Sequence, residues 1–405
     1  MNQRQHAAHA RDRRRLLGGL GAATLVGALG GCATGQRAPT RAGSAPPEGD
    51  GARLQLAALH ASPDRITQIT VCTRPFRAQG PRLEVERVGA KNVVHNYGHG
   101  GSGWSLSWGS SAIAAEHALA TGERSIGVFG CGALGLTSSI LLQRAGASVT
   151  IYAKDVPPNV RSSLASGVWS PDSRICLAEH ATPAFKMLWE RMSRDSFRAY
   201  QNLLGLAGDP VEFIDSYLVT DADAGLATRR ETDGRPAFAS LQHELIDDLI
   251  PRPATFAPGS HPFGPRHVRR NTFMMFNLTA YARMLLADFW SMGGKIEIIE
   301  FRSPAELAAL PRKNLINATG YGARALFDDR SVVPVRGQLA RVMPQSDVHY
   351  GLYYDNVSFV PRRDGSVFHI VGADDYYGYD DASTLPDRAE AERAVTTIAS
   401  LYAKA

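Results

Sequence analysis

The sequence predicts an α/β protein: a Rossmann-like dinucleotide-binding domain joined to a second domain built on an antiparallel sheet. Three observations predict it. Residues 125–129 (SIGVF) and 148–153 (SVTIYA) are apolar, strand-like runs, and between them Gly130-Cys131-Gly132-Ala133-Leu134-Gly135 opens a helical pattern. That is a β-α-β unit with glycines where a dinucleotide fold needs them. Residues 337–343, 355–360 and 366–372 read as strands, which suggests an antiparallel sheet. Residues 182–205 and 277–292 carry apolar stripes at helical spacing, such as Phe185, Leu188, Trp189 and Met192. With 405 residues, 44% of them apolar and 20% charged, the chain supports a large core in one broad domain or two closely joined ones. That composition excludes a mostly disordered chain, a disulfide miniprotein and a multipass membrane protein.

From the N-terminus, residues 1–31 read as an export signal. Arg4, Arg11, Arg13, Arg14 and Arg15 precede the apolar run LLGGLGAATLVGALGG, which is too short and too rich in glycine to span a bilayer well. Arg13-Arg14-Arg15-Leu16-Leu17 resembles a twin-arginine export motif, and Leu29-Gly30-Gly31-Cys32 resembles a bacterial lipobox, which would leave a lipidated Cys32 as the first mature residue. The alternative is an ordinary cleaved signal beside a chance cysteine. The expected location is the bacterial cell envelope, periplasmic or anchored to the membrane through Cys32 alone. Four of the five net positive charges lie in this leader, which argues against a nucleic-acid partner. Residues 32–53 read as a flexible Ala/Gly/Pro tether. Cys72, Cys131 and Cys176 show no metal or disulfide spacing and are expected to be buried and free.

Residues 66–72 (ITQITVC) and 82–87 (RLEVER) read as strands, followed by a glycine-dense loop at 95–103 and a short helix at 110–120. In the β-α-β unit, Gly130 permits the tight turn, Gly132 lets backbone N–H groups approach a pyrophosphate, and Gly135 lets helix and strand pack closely. Asp155 is one candidate for the ribose contact and Lys154 the other. Asn277 is the expected N-cap of the 277–292 helix and Gly293-Gly294 its stop. Strands are expected at 295–301 and 313–317, then a turn at Asn317-Ala318-Thr319-Gly320, and a final helix over 386–402. His95 and His99 lack a third ligand at metal spacing, so turn and hydrogen-bonding roles are expected and no metal.

The stretch Val94-His95-Asn96-Tyr97-Gly98-His99-Gly100-Gly101-Ser102-Gly103, continuing to Trp108-Gly109, closely resembles the C-terminal FAD-binding signature of the D-amino-acid oxidase family. Thr73-Arg74-Pro75-Phe76-Arg77 with Arg82-Leu83-Glu84 resembles the GxRPxRP…RLE strand of that family. Gly130 to Gly135 resembles its N-terminal FAD motif, Ala165-Ser166-Gly167-Val168-Trp169 its A-x-G-x-W loop, and Asn317 to Gly320 and Arg336-Gly337-Gln338 its NCTG and RGQ segments. The order differs. Blocks that close the family's chain open this one, and each is present once. The resemblance therefore implies a circular permutation, with the family's termini joined through about residues 121–124 and new ends opened between Tyr402 and the strand at 66–72. The implied partition is an FAD-binding region at 54–180 (permuted blocks 66–120, then β-α-β 125–155), a mostly substrate-binding region at 181–300, a return to the FAD domain at 301–335, substrate-domain sheet at 336–385 and a helix at 386–405.

The resemblance implies FAD as cofactor and a small amino acid as substrate, oxidised by hydride transfer from Cα to flavin N5. The imino acid then hydrolyses to a 2-oxo acid and ammonia, with O₂ or another acceptor taking the electrons. By resemblance, Arg74 holds the substrate carboxylate, Tyr354 shares it and the Gly101 carbonyl takes the amine. Counting back from Pro361, the family's second tyrosine position falls on Ser358, and a one-residue slip would exchange Tyr354 for Tyr353. Gly100, Gly101, Gly103, Trp104 and Ser105 are expected to line the flavin, with Ala165, Ser166, Gly167 and Gly320 contributing to the same site. With no obvious second cation for a side-chain carboxylate, neutral D-amino acids are the expected substrates. The alternatives are another flavin amine oxidase or dehydrogenase acting on glycine, sarcosine or a secondary amine, and a catalytically silent binding lipoprotein. The oligomeric state is left open.

Overall fold

A computed structural model describes residues 53–221 and 234–402; the expected leader, lipidated Cys32 and nearly all of the tether lie outside the described residues. Contacts divide the chain into Met1–Glu48 and Gly49–Ala405, and the described residues belong to the second unit. In chain order the strands are β1 (Ile66–Phe76), β2 (Val85–Val88), β3 (Lys91–His95), β4 (Ser125–Phe129), β5 (Ser148–Ala153), β6 (Val211–Thr220), β7 (Ala254–Phe256), β8 (His267–Phe276), β9 (Lys295–Ile298), β10 (Asn314–Asn317), β11 (Val333–Val342), β12 (Tyr350–Tyr354), β13 (Val357–Val360) and β14 (Ser366–Ile370). The helices are α1 (Ser107–Leu119), α2 (Ala133–Arg144), α3 (Pro183–Gln201), α4 (Gln242–Leu245), α5 (Leu278–Ser291), α6 (Ala323–Leu326) and α7 (Arg388–Ala399).

These strands form two sheets. The six-stranded sheet runs β2-β3-β10-β4-β5-β9 and is parallel except for its edge strand β2. Its central strands are buried on both faces, as a parallel sheet covered by helices requires: Ile126, Val128, Val149 and Ile151 are all enclosed. The eight-stranded sheet runs β1-β11-β14-β13-β12-β6-β8-β7, antiparallel except where β12 meets β6. Its outer face packs on α7 through Ala391, Val395 and Ile398.

Close approach fixes the helices of the smaller sheet. A Cβ at Gly109 would sit 2.2 Å from the Met192 carbonyl oxygen, so α1 and α3 meet backbone to backbone there. The Gly109 N–H donates to Ser196 Oγ at 2.8 Å in the same contact. Asn277 precedes α5, but its side chain does not cap it. Its amide donates instead to the Asp209 carbonyl and Glu212, and its oxygen accepts from the Arg363 N–H, so tertiary partners outbid the local cap. The two ends of the described chain are neighbours. The Tyr350 hydroxyl bonds both the Ala57 carbonyl and the Tyr402 hydroxyl, and Leu59 packs in one cluster with Ile398 and Leu401. Cys72, Cys131 and Cys176 are buried and unpaired. Among the described residues no helix is long and apolar enough to cross a membrane.

Candidate active site

A cavity of about 1130 Å³ opens where the C-terminal ends of β4 and β5 face the larger sheet. The turn after β4 shapes one wall. Gly130 has φ +93°, and a Cβ there would lie 2.6 Å from the Ala318 carbonyl oxygen. Gly132 caps α2 without a side-chain hydrogen bond, which leaves the first helical N–H groups facing the cavity. Ser162 Oγ takes one of them, from Ala133, at 3.2 Å. A Cβ at Gly103 or Gly320 would meet no protein atom within 4 Å, and both residues line the cavity. This open, glycine-walled trough beside a helix N-terminus fits a pyrophosphate-bearing dinucleotide. Ala133, Leu134, Ala165, Ser166, Gly100 and Trp104 also line it, as do Lys154 and Asp155. Lys154 ion-pairs with Glu300 at 3.1 Å.

Three expected cofactor contacts are placed otherwise. Gly135 lies beneath the trough, where its hydrogen faces the Gly130 carbonyl. Gly167, at φ +86°, packs against the Phe276 carbonyl outside the cavity wall. Ser105 is buried and uses its hydroxyl to accept the Ser170 N–H at 2.8 Å, so it positions the loop that follows Gly167.

The histidines of the glycine loop are hydrogen-bonded groups. His95 lies between Glu86 (2.9 Å) and Asn317 (3.1 Å), and burial brings its pKa down to about 4. His99 Nε2 bonds Ser110, which itself donates to Asn96; burial brings the His99 pKa down to about 3. Among the described residues no group of three or more His, Cys, Asp or Glu gathers as a metal site.

The far end of the cavity is the inner face of the eight-stranded sheet, and strand register decides who faces it. Arg74 pairs with Val335 and Cys72 with Gly337, and the Arg74 guanidinium lies over Gly337, donating to the Arg336 carbonyl at 3.0 Å. Ala340 pairs with Phe368, which sets Leu339 beside His369. His369 pairs with Ser358 and Ser358 with Tyr353. Side chains alternate between faces, so Arg74, His369, Ser358 and Tyr353 share one face of the sheet, the face on which Arg74 and Leu339 line the cavity. Tyr354 stands on the other. Its hydroxyl donates to Asp221 at 2.9 Å, and Arg266 lies over its ring. Tyr354, expected to share the carboxylate, therefore faces away from Arg74, while Tyr353, the residue a one-position slip would give, shares the face of Arg74. The physical reason is the turn: Asp355 and Asn356, at φ +45° and +60°, form a two-residue hairpin loop that pairs Tyr354 with Val357. A signal was present in the sequence, because Asp-Asn between two apolar runs favours that short loop.

Arg174 escaped the sequence reading altogether. It sits in the loop after Trp169 at φ +50°, nearly buried. Burial and the neighbouring charge of Arg74 bring its pKa down to about 10. The Gly101 N–H donates to the Ser173 carbonyl at 2.9 Å and the Gly100 N–H to the Pro75 carbonyl at 2.8 Å, so the glycine loop ties the Arg174 loop to the Arg74 strand. Nothing local in Asp172-Ser173-Arg174 announces this.

The family profile described as FAD dependent oxidoreductase (DAO) matches residues 125–404. A D-amino-acid oxidase of Dictyostelium discoideum is 25% identical over 298 residues, covering 68% of this chain and 73% of its own. A D-aspartate oxidase of Talaromyces thermophilus is 53% identical over 53 residues, 13% of this chain and 14% of its own. Among solved structures, iminodiacetate oxidase from Chelativorans sp. BNC1 aligns with a TM-score of 0.49 at 16% identity, covering 68% of this chain and 78% of that one.

Proposed function

Because the chain belongs to the DAO family of FAD-dependent oxidoreductases, we propose that it catalyses the oxidative deamination of D-amino acids to 2-oxo acids and ammonia. FAD is its cofactor, and the family's reactions are oxidations of amino acids and amines. The observation that carries the finer reading is the placement of Arg74. A guanidinium with no carboxylate partner among the described residues stands in the same cavity as the glycine turn after β4. The relatives named for D-configured substrates support the stereochemistry.

The chain's own groups have distinct tasks. The helix N-terminus after Gly132 and the open trough at Gly103 and Gly320 hold the cofactor. Arg74 takes the substrate carboxylate through two parallel N–H bonds, and the Tyr353 hydroxyl adds a third donor from the same face. The Gly101 carbonyl accepts from the amine, which enters neutral. Together these fix Cα at a set distance and orientation, which is most of what a protein contributes to such a reaction. Bound FAD supplies the hydride acceptor. Its electrons would go on to O₂ or to another acceptor of the cell envelope.

The rotated order of the family's blocks belongs to the same proposal. Its support is that the profile starts at residue 125 while β1 and β3, before it, complete the two sheets, β1 as the edge strand beside β11 and β3 beside β10. The neighbouring ends at Ala57 and Tyr402 support it further. Residues 1–31 act as the export leader and Cys32 as the lipidated anchor in this reading; Cys32→Ser should then move the protein from the membrane pellet to the soluble fraction.

The test is a visible spectrum of the purified holoprotein. Flavin absorption should bleach when D-amino acids, and not L-amino acids, are added without air. Arg74→Ala should lower kcat/KM by about hundredfold or more, since removing one partner of a desolvated charge pair costs about 3 kcal/mol or more. Bleaching that persists unchanged in that variant would place the site elsewhere.

A further inference from the structure

The neighbourhood of Arg74, at the end of the cavity, holds more positive charge than one carboxylate requires. Arg74 can serve the α-carboxylate alone, with Nη1 on the Arg336 carbonyl and no ion pair among the described residues. Beside it, Arg174 is more than nine-tenths buried. Its Nε donates to the Asp375 carbonyl at 2.6 Å, while its Nη2 is 3.9 Å from Asp375 Oδ1, too far for a hydrogen bond. The outer edge of that guanidinium makes no hydrogen bond among the described residues. Burial and the charge of Arg74 outweigh the nearby Asp375 and Asp374 at Arg174, a cost that a bound anion offsets.

A second observation points the same way. His369 is more than nine-tenths buried, and its Nδ1 has no hydrogen-bond partner. It stands on the cavity face of the sheet, next to Ser358 in register, with both Arg74 and Arg174 in electrostatic reach. Burial and those two charges bring its pKa down to about 3, so at neutral pH it is an uncharged ring able to donate from one nitrogen. The Arg174 loop is also held rigidly. A Cβ at Gly100 would fall 2.0 Å from the Arg174 carbonyl oxygen, and the residue keeps a left-handed φ that only surrounding contacts sustain. A fixed, buried cation and an unsatisfied imidazole beside the α-carboxylate arginine are what a second carboxylate needs.

We propose that Arg174, with His369 beside it, is the specificity-determining group for an acidic side chain, so that the preferred substrates are D-amino acids bearing a second carboxylate. This replaces the expectation of neutral substrates, and it rests on the D-amino-acid reading above. The α-carboxylate takes Arg74 and Tyr353, and the side-chain carboxylate takes the outer edge of Arg174 and the His369 ring.

The experiment compares isosteres on the holoprotein. D-aspartate and D-glutamate should exceed D-asparagine and D-glutamine in kcat/KM by about hundredfold, because an amide brings no charge to the outer edge of Arg174, which Asp375 reaches only at 3.9 Å. Arg174→Gln should shrink that ratio about tenfold or more. Amides oxidised as fast as the acids, or a variant that lowers both alike, would overturn the proposal and leave the D-amino-acid reading standing. Should no D-amino acid bleach the flavin, that reading fails, and melting temperature with succinate against succinamate decides the pocket. Stabilisation by succinate alone, lost in Arg174→Gln, supports the assignment; equal shifts overturn it. The wild-type comparisons need no variant, so poor folding of Arg174→Gln leaves the test intact.

Discussion

Replacing Gly135 with Ala should loosen the cofactor site by pushing a helix off its strand. The new Cβ would lie 2.0 Å from the Gly130 carbonyl oxygen and 2.8 Å from its carbon, where ordinary contact begins near 3.4 Å. The clash is with backbone, so no side chain can swing aside. The Gly130 N–H is held by the Tyr152 carbonyl at 2.9 Å, which pins the turn to β5. Relief therefore requires α2 to retreat by about 1.4 Å. Overpacking of this kind costs about 1–3 kcal/mol, and an immovable partner puts this case near the upper end. At roughly 2 °C per kcal/mol for a chain of this size, the apoprotein should melt about 5 °C lower. The retreat also carries the α2 N-terminal N–H groups away from the pyrophosphate, so the dissociation constant for FAD should rise about tenfold or more. Circular-dichroism melts of flavin-free protein and flavin titration followed by fluorescence quenching measure both. Gly103→Ala is the control, because its Cβ meets no protein atom within 4 Å. It should melt with the wild type when flavin-free and still bind FAD less tightly. A Gly135→Ala protein that melts with the wild type and keeps its flavin would refute the reasoning.

Three further outcomes follow from the geometry. Tyr353→Phe should raise KM about tenfold through loss of a hydrogen bond to a charged group, whereas Tyr354→Phe, on the opposite face, should change KM less than about twofold; steady-state kinetics on one substrate separates them. The chain should be labile to acid. His95, His99 and His369 are held neutral by burial, at about 4, 3 and 3, while the unfolded chain takes up their protons near pH 6.5. Stability is therefore full above about pH 6.5 and lost as pH falls toward those folded values, by about 2 kcal/mol for His95 alone at pH 5, which urea unfolding at pH 7.5 and pH 5 would register. Finally, a chain with Tyr402 linked to Arg53 by a short flexible segment and opened between Thr121 and Arg124 should fold and hold flavin, read by its visible spectrum. Failure of both that chain and a second opening in the same loop would argue that the present chain order is needed for folding.

Much of the dinucleotide half was legible because its signals are local. Strand β4 and strand β5 appear at the expected residues, 125–129 and 148–153, because apolar runs bounded by glycine have one reading in a buried parallel sheet. The strands β3, β6, β7, β8 and β12 were missed. β6 and β8 mix polar residues with apolar ones, as in VEFIDSYLVT and HVRRNTFMMF, and their strand form comes from pairing with each other along ten residues. Asn277 shows the converse, a correctly placed cap residue whose side chain found better partners in distant segments.

The amino-acid order alone pointed to the glycine turn after β4 and to Cys72, Cys131 and Cys176 as buried and unpaired, since each depends on contacts within a few residues or on composition. Three-dimensional packing decided which tyrosine faces the cavity, which glycines line it and which lie beneath it, and that Arg174 stands beside Arg74. Those outcomes depend on register and on contacts between segments a hundred or more residues apart. A one-residue shift of a strand reverses the direction of every side chain on it, and although Asp355-Asn356 marks the turn between β12 and β13, no local pattern says which face of the sheet meets the cavity.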